Sequence, residues 1–551
     1  MSETPVCPDY SPDADDSEGL LTLEELLGLP FEDPGSQPEV FPWKGPPGTG
    51  KTELLATTIT GLVDQGVSIE RIGLMPFSNA AVDQARLRLT GLGGFSRTEL
   101  RNVRTLHSAA CSQVKVDQAN LMTDARRAMF RSEVVPSLGG QDGKRYDSIV
   151  DRGRARGLTV QELPAIVTRT EARHIDGRLL ERYYAAYTQH LIQHRLLTFD
   201  DVLRQVLASQ NTVTPLVPDI DYLFVDEAQD LSPLGAAVID FWASHCKALY
   251  VAGDDDQAIY GFAGGDGTWF KNLFRKYDGK TLEQSHRVPR RVHEVATKVI
   301  SQVKDRLDVP YLPTSSEGEV IRGVTIAQLP KLLDGKDNLV LARDGWALGD
   351  VKQVLTAAGR LFTETSGTAG RTDRQLAVMV ETIQVLARGF VVPAAALCPV
   401  VERRGRADEV VLLDRLRGLR GSLIDQNKLV ELGAGGLLLD LAAGPLAVLD
   451  SLTKREKQVV GVRLGLGQSA PDITLSTIHA IKGGQADVVA IIPDRSRSSF
   501  EAAESDPQVN DDEHRLLYVG MTRARRRLIL LEPTNLQRAF MAFRFPPAGA
   551  L

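Results

Sequence analysis

Gly45-Pro46-Pro47-Gly48-Thr49-Gly50-Lys51-Thr52 is the stretch of this 551-residue chain that decides its fold. The run satisfies G-x-x-x-x-G-K-[ST] at every position. Glycines let successive backbone N–H groups curl around phosphate, and a helix starting just after them adds its positive dipole end. Glu53–Leu62 reads as that helix. Lys51 supplies a point charge for the β- and γ-phosphates, and Thr52 a hydroxyl ligand for Mg²⁺. Gly45, Gly48, Thr49, Gly50, Lys51 and Thr52 are therefore the predicted nucleotide-holding residues. By itself the loop does not separate kinases, GTPases and ATPases.

Outward from the loop, short aliphatic runs alternate with helical stretches. Ile72–Pro76, Asn102–Leu106, Tyr222–Val225 and Ala248–Ala252 read as strands buried on both faces, as in a parallel sheet. Val320–Val324, Asn338–Ala342, Ile473–Ser476, Asp487–Ile492 and Leu528–Leu531 read as a second such sheet. Residues 112–197 and 366–471 interrupt the two sheets and read as helical, the latter broken at Gly433–Gly436. The expected fold class is α/β, with two sheets that each carry a mostly helical insertion.

Asp226-Glu227 closes the run Tyr222–Val225. A carboxylate at such a strand end holds Mg²⁺, and its neighbour acts as general base toward an attacking water. Gly253-Asp-Asp-Asp256-Gln257 follows the next strand. Gln257 is an uncharged donor at a carboxyl strand end, where open α/β sheets bind ligands, and is placed to sense the γ-phosphate.

Bulk properties narrow the class. The chain is 43% apolar and 25% charged, with a formal net charge of -7. Nucleic-acid contact must then be local, because a whole-surface binder would be basic. Cys7, Cys111, Cys246 and Cys398 are far apart with no CxxC spacing, which fits a reducing cytoplasm and argues against a disulfide framework or zinc site. No apolar run approaches the roughly 20 residues of a membrane span. Residues 1–38 read as an acidic, solvated tail, with one short helix from Leu20 to Leu29.

Taken in order, the motifs resemble the UvrD/Rep family of superfamily 1 helicases. Asp226-Glu-Ala-Gln-Asp230 and Gly253-Asp-Asp-Asp-Gln-Ala-Ile-Tyr-Gly-Phe262 are similar to motifs II and III. Pro76-Phe-Ser-Asn-Ala-Ala81 resembles motif Ia, Thr105-Leu-His107-Ser108 the next DNA-contacting motif, and Leu197–Leu203 the segment before motif II. Leu282-Glu-Gln-Ser-His-Arg287, Leu475–Gly483 and Tyr518–Arg525 resemble motifs IV, V and VI.

The resemblance implies two RecA-like lobes with ATP and Mg²⁺ bound between them. The first lobe would comprise 39–111 and 198–281, and the second 282–365 and 472–551. It implies Arg287 and Arg523, both from the second lobe, as arginines stabilising the transferring phosphoryl group. It also implies that Phe77, Tyr260 and Phe262 stack on bases, and that Asn79, His107, Thr477 and His479 bind phosphate or sugar. Five departures from the pattern stand out. Gln37 is the one upstream glutamine, close to the loop, where the family has an adenine-reading Gln farther off. His286 replaces a tyrosine expected to stack on adenine. Ala263 replaces an arginine, Gln485 replaces a ribose-binding glutamate, and Pro76 and Ser78 replace threonines.

The expected function is an ATP-dependent DNA helicase moving 3′ to 5′ on single strands and acting at duplex junctions, in the cytoplasm of a bacterial or phage-infected cell. A translocase that strips proteins without unwinding, an ATP-switched binding module, and RNA as the track remain open.

Overall fold

The computed structural model describes residues 37–540, apart from 138–142, 168–170, 172–174, 266, 366, 405, 407–408, 420, 449–451, 453–455, 458–459 and 461–471. The expected helix from Leu20 to Leu29 and nearly all of the tail 1–38 lie outside the described residues. The chain divides into two compact units. One comprises Met1–Arg287, Thr297–Thr314 and Ser498–Tyr518; the other comprises Val288–Ala296, Ser315–Arg497 and Val519–Leu551.

In the first unit, β1 (Glu39–Lys44), β2 (Ile72–Met75), β3 (Tyr222–Val225), β4 (Ala248–Gly253) and β5 (Lys280–Thr281) form a parallel sheet in the order β2-β3-β4-β1-β5. Side chains alternate across each strand, so both faces need apolar residues. Leu223 and Val225 join a core with Val202, Val206, Leu234 and Trp242, whereas Phe224 faces one with Leu55, Ile59, Val82 and Leu89.

One expected strand is lost here, and one that was not expected, β1, is found. The strand expected at Asn102–Leu106 is reduced to one bridge between Val103 and Leu74. Thr105 Oγ1 instead accepts the Ser108 N–H at 3.3 Å and caps the helix Leu106–Val114. A threonine hydroxyl that satisfies a helix end competes with extension of the strand. Conversely, β1 carries Pro42, which cannot donate to a ladder. It is tolerated because β5 pairs only with Trp43 and Lys44, leaving one neighbour at Pro42.

In the second unit, β6 (Glu319–Val324), β7 (Asn338–Ala342), β8 (Phe362–Glu364), β11 (Ile473–Thr477), β12 (Ala486–Ile492) and β13 (Ala524–Leu531) form a parallel sheet, ordered β6-β13-β12-β7-β11-β8. β9 (Val392–Pro393) and β10 (Leu423–Ile424) make a separate antiparallel ribbon. Both interrupting stretches are mainly helical where described. Helices Asp124–Ser137, Gly143–Ala155 and Gly177–Gln193 enclose Phe130, Tyr146, Tyr183 and Tyr187. Helices Gly367–Ala387, Ala394–Arg404 and Val410–Gly418 enclose Leu386, Leu397 and Leu416. Each stretch thus has a core of its own.

Candidate nucleotide and nucleic-acid site

The phosphate loop leaves the carboxyl end of β1 and enters the helix Lys51–Asp64. The Gly45 N–H donates to the Gly253 carbonyl at 3.0 Å, tying the loop to the end of β4. A Cβ on Gly45 would stand 2.4 Å from Lys51 Cγ, so only glycine leaves room for that side chain. Gly48 and Gly50 have φ of 79° and 87°, the left-handed region that glycine enters without steric cost. Lys51 Nζ donates back to the Gly45 carbonyl at 2.7 Å, and Thr49 Oγ1 to the Pro46 carbonyl at 2.8 Å.

Thr52 Oγ1 donates to Asp226 Oδ2 at 2.8 Å. Burial, and then the Glu227 charge, push the Asp226 carboxyl up; Lys51 and the Thr52 hydroxyl pull the other way. A hydroxyl and a carboxylate set side by side are hard oxygen donors of the kind Mg²⁺ takes, its other positions being filled by water and phosphate. The donor set therefore fits that ion. Glu227 has φ of 54°, a conformation few non-glycine residues adopt. Its N–H donates to Asp226 Oδ1 at 2.9 Å.

The sequence reading missed two residues that organise this end of the sheet. Gln229 is fully buried; its Nε2 donates to Glu227 Oε2 at 2.5 Å and its Oε1 accepts the Asp254 N–H at 2.8 Å. Gln257 Nε2 in turn donates to Asp254 Oδ2 at 2.7 Å. Gln229 thus joins the carboxylate pair to the loop after β4. The second missed residue is Lys44, the last of β1, whose Nζ lies 2.6 Å from Asp255 and 3.1 Å from Asp256. Asp254, Asp255 and Asp256 are close enough together to resemble a cation site, but Lys44 already pairs with all three and Arg306 with Asp256. A lysine ending an apolar strand, set against three consecutive aspartates, was the available signal.

Arg287 was expected from the second lobe. Its contacts group it with the first unit, because its segment is bonded to the phosphate loop. Ser285 Oγ donates to the Pro47 carbonyl at 2.9 Å, the His286 N–H to the Gly48 carbonyl at 2.8 Å, and Tyr311 Oη to the Pro47 carbonyl at 2.9 Å. A Cβ on Gly48 would lie 2.6 Å from Arg287 Cβ. Arg287 Nε is buried without a hydrogen-bond partner. A desolvated guanidinium N–H of this kind suits an incoming phosphate oxygen. The His286 side chain is exposed. Gln37 precedes β1 and so sits at the sheet's amino end, beside a cavity it shares with Trp269 and Tyr277. A six-residue strand separates it from the loop, about 20 Å at the usual rise. Gln37 is not at the nucleotide.

On the same unit, Phe77 is 39% exposed and stacks on Tyr260, with ring centroids 5.1 Å apart. Ser78 Oγ accepts the Ala81 N–H at 3.2 Å, capping the helix on which Asn79 is the first, exposed residue. Burial lowers the His107 pKa, and its ring tilts against Phe199 at 5.3 Å. Phe77, His107 and Asp226 all line one cavity of about 620 Å³. Phe262 lies on the turn Gly261–Ala263, and its side chain is outside those described.

In the second unit, Thr477 ends β11 and its Oγ1 accepts the Ala480 N–H at 3.4 Å. Burial, and then Arg343, bring the His479 pKa down to about 4, so its ring is neutral at ordinary pH. Arg523 is 2% exposed; its Nε donates to the Val519 carbonyl at 2.9 Å and its Nη1 to the Gly484 carbonyl at 3.4 Å. Gln485, next to Gly484, is exposed. Arg525 pairs with Asp337 and Asp487, Arg526 with Asp334, and Arg527 with Glu319 and Asp334.

A phosphate loop joined to a strand-end carboxylate pair and two buried glutamines, on a parallel sheet, defines a P-loop ATP-hydrolysing enzyme of RecA-like fold. Residues 44–278 match the UvrD/REP helicase N-terminal domain, and residues 472–531 match the UvrD-like helicase C-terminal domain. The ATP-dependent DNA helicase UvrD2 of Mycobacterium tuberculosis is 25% identical over 541 residues, covering 88% of this chain and 75% of its own length; the Mycobacterium bovis UvrD2 matches equally. The ATP-dependent DNA helicase PcrA of Staphylococcus aureus is 24% identical over 289 residues, covering 50% of this chain and 40% of its own length. The chain belongs to the UvrD/Rep family of ATP-dependent DNA helicases. Among the described residues no helix is long and apolar enough to cross a membrane.

Proposed function

We propose that this helicase moves 3′ to 5′ along single-stranded DNA and separates duplex at junctions, in the cytoplasm of a bacterial or phage-infected cell. The sequence boundaries given above for the two lobes and their insertions are part of this reading. The observation that supports its ATP-hydrolysing part is the continuous hydrogen-bonded path from Thr52 through Asp226 and Glu227 to Gln229, Asp254 and Gln257; the direction rests on the family resemblance of Gly253–Gln257 and Thr477–His479. Phosphate-holding, base and sensor groups are thereby fixed to one another on one sheet end.

In this reading Gly45, Gly48, Thr49 and Gly50 cradle the phosphates, and Lys51 draws charge from the transferring group. Thr52 and Asp226 would hold Mg²⁺, which supplies charge neutralisation at the phosphates when bound. Glu227 takes the proton of the attacking water, and Gln257 reports on the γ-phosphate. Arg287 and Arg523 stabilise the developing charge. His286 and Gln485 touch base and ribose. Phe77, Tyr260 and Phe262 grip bases, while Asn79, His107, Thr477 and His479 hold the backbone without reading sequence.

The test measures ATP turnover with and without single-stranded DNA, for wild type and Glu227→Gln. General-base loss is expected to cut the DNA-stimulated rate by about 10²- to 10⁴-fold. Turnover indifferent to DNA would sink the motor reading. Duplexes with a 3′ or a 5′ tail then decide direction, and unwinding of the 5′-tailed substrate alone would reverse it.

A further inference from the structure

Lys44 is completely buried, with side-chain exposure of 0%, as is Asp254. Its Nζ donates to Asp255 Oδ1 at 2.6 Å, Asp256 Oδ2 at 3.1 Å and the Leu307 carbonyl at 2.6 Å, and lies 3.6 Å from Asp254 Oδ1. The surroundings are closed by one strap. The Leu307 N–H donates to Asp255 Oδ2 at 2.8 Å, and Arg306 holds both oxygens of Asp256 at 2.8 and 2.7 Å. Desolvation opposes a charge on Lys44, but the three aspartates outweigh it, so the ammonium is retained.

Such a cluster is costly to build. It stands at a particular place. Lys44 is bonded in sequence to Gly45, whose N–H holds the end of β4. Asp254, the carboxylate Lys44 faces at 3.6 Å, is the acceptor that orients the Gln257 amide. The Asp254 backbone N–H is also the anchor for Gln229, which holds Glu227. One ammonium therefore sits behind both the sensor and the base, touching neither.

We propose that Lys44 is a positioning residue for ATP hydrolysis: by pinning Asp254, Asp255 and Asp256 to the end of β1 and to Leu307, it sets Gln257 and, through Gln229, Glu227 relative to the phosphate loop. The inference rests on the reading of Glu227 and Gln257 as catalytic. It predicts a defect in the rate of the chemical step with nucleotide binding preserved.

Two variants of the full chain test it, with Glu227→Gln run beside them. Lys44→Arg keeps the charge but replaces a compact ammonium by a planar fork, which cannot reproduce these contacts. Lys44→Met/Asp255→Asn removes one charge of each sign, so the cluster's net charge is unchanged. In both, melting temperature is expected to fall, because buried carboxylates lose a partner, while the folded protein keeps near wild-type affinity for a fluorescent, slowly hydrolysed ATP analogue. The DNA-stimulated kcat is expected to fall by about 10- to 100-fold, the scale that small misplacement of catalytic groups produces, with KM for ATP held within about twofold.

A structural role through charge balance alone would leave kcat of the double variant at the wild-type value, and that result overturns the proposal. So does a loss of analogue binding that accounts for the whole rate defect. If one variant fails to fold, the other decides; if both fail, Lys44 is structural and the proposal falls. Full turnover by Glu227→Gln would instead remove the underlying assignment of the base, a separate failure.

Discussion

At the carboxyl end of the first sheet, charge is met by charge: Lys44 by three aspartates, and Asp256 also by Arg306. In the second sheet, Thr477 ends β11 with a neutral His479 just beyond it, while Arg523, which precedes β13 at the sheet's amino end, donates to the carbonyls of Val519 and Gly484. A side chain locked in ion pairs holds its neighbours in place and has little attraction left for a ligand. Carbonyl oxygens fix the direction of a guanidinium through hydrogen bonds. On the function proposed above, the first arrangement keeps Glu227 and Gln257 stationary, and the second aims Arg523.

The comparison breaks most visibly at the arginines. Arg523→Ala is expected to lower kcat by about 10³-fold or more, the scale of a phosphate-stabilising arginine. Arg525→Ala, two residues on in the same run, removes only a partly exposed pair with Asp337 and Asp487. It should leave turnover intact and cost at most about 1 kcal/mol of stability. Steady-state kinetics on both variants check this, and equal losses would erase the distinction between aimed and committed arginines.

Phe77→Ala probes grip on the first unit. Losing one stacking face costs about 1–3 kcal/mol, so the Kd for a short single strand should rise by roughly 5- to 150-fold. Fluorescence anisotropy would show it, and an unchanged Kd would assign Phe77 only to its stack on Tyr260.

The smallest effect concerns His479. Its pKa is depressed in the folded chain to about 4, against about 6.5 when unfolded. The unfolded state then binds the extra proton first. This contribution to stability is complete above about pH 6.5 and is lost as pH falls toward 4. Strand affinity should be level from pH 6 to 8. A step near pH 6.5 that disappears in His479→Asn would show that the imidazolium binds DNA.

Much of this was legible in the chain. Tyr222–Val225 and Asn338–Ala342 read as strands at the bounds the structure gives, because runs buried on both faces admit only apolar residues. The phosphate loop was legible because its glycines answer to backbone geometry and phosphate contact, which few sequences satisfy. Gln229 and Lys44 were not, since their roles depend on partners 25 and about 210 residues away. Arg287 was placed by family position, and only the bonds from Ser285, His286 and Tyr311 to the phosphate loop reveal what it packs against. The expected strand at Asn102–Leu106 failed because a single hydroxyl, that of Thr105, turned the chain into a helix.

Arg525, Arg526 and Arg527 look like a polyanion-binding stretch, yet each is engaged with Asp334, Asp337, Asp487 or Glu319. If the strand is held as proposed above, by ring faces, an asparagine, a threonine and uncharged imidazoles, it displaces few of the cations condensed on it. Its affinity should then decline only gently as salt rises, where a basic groove would lose orders of magnitude. For a motor that must release its track in every cycle, a hold that draws little on ion release is one that can be let go.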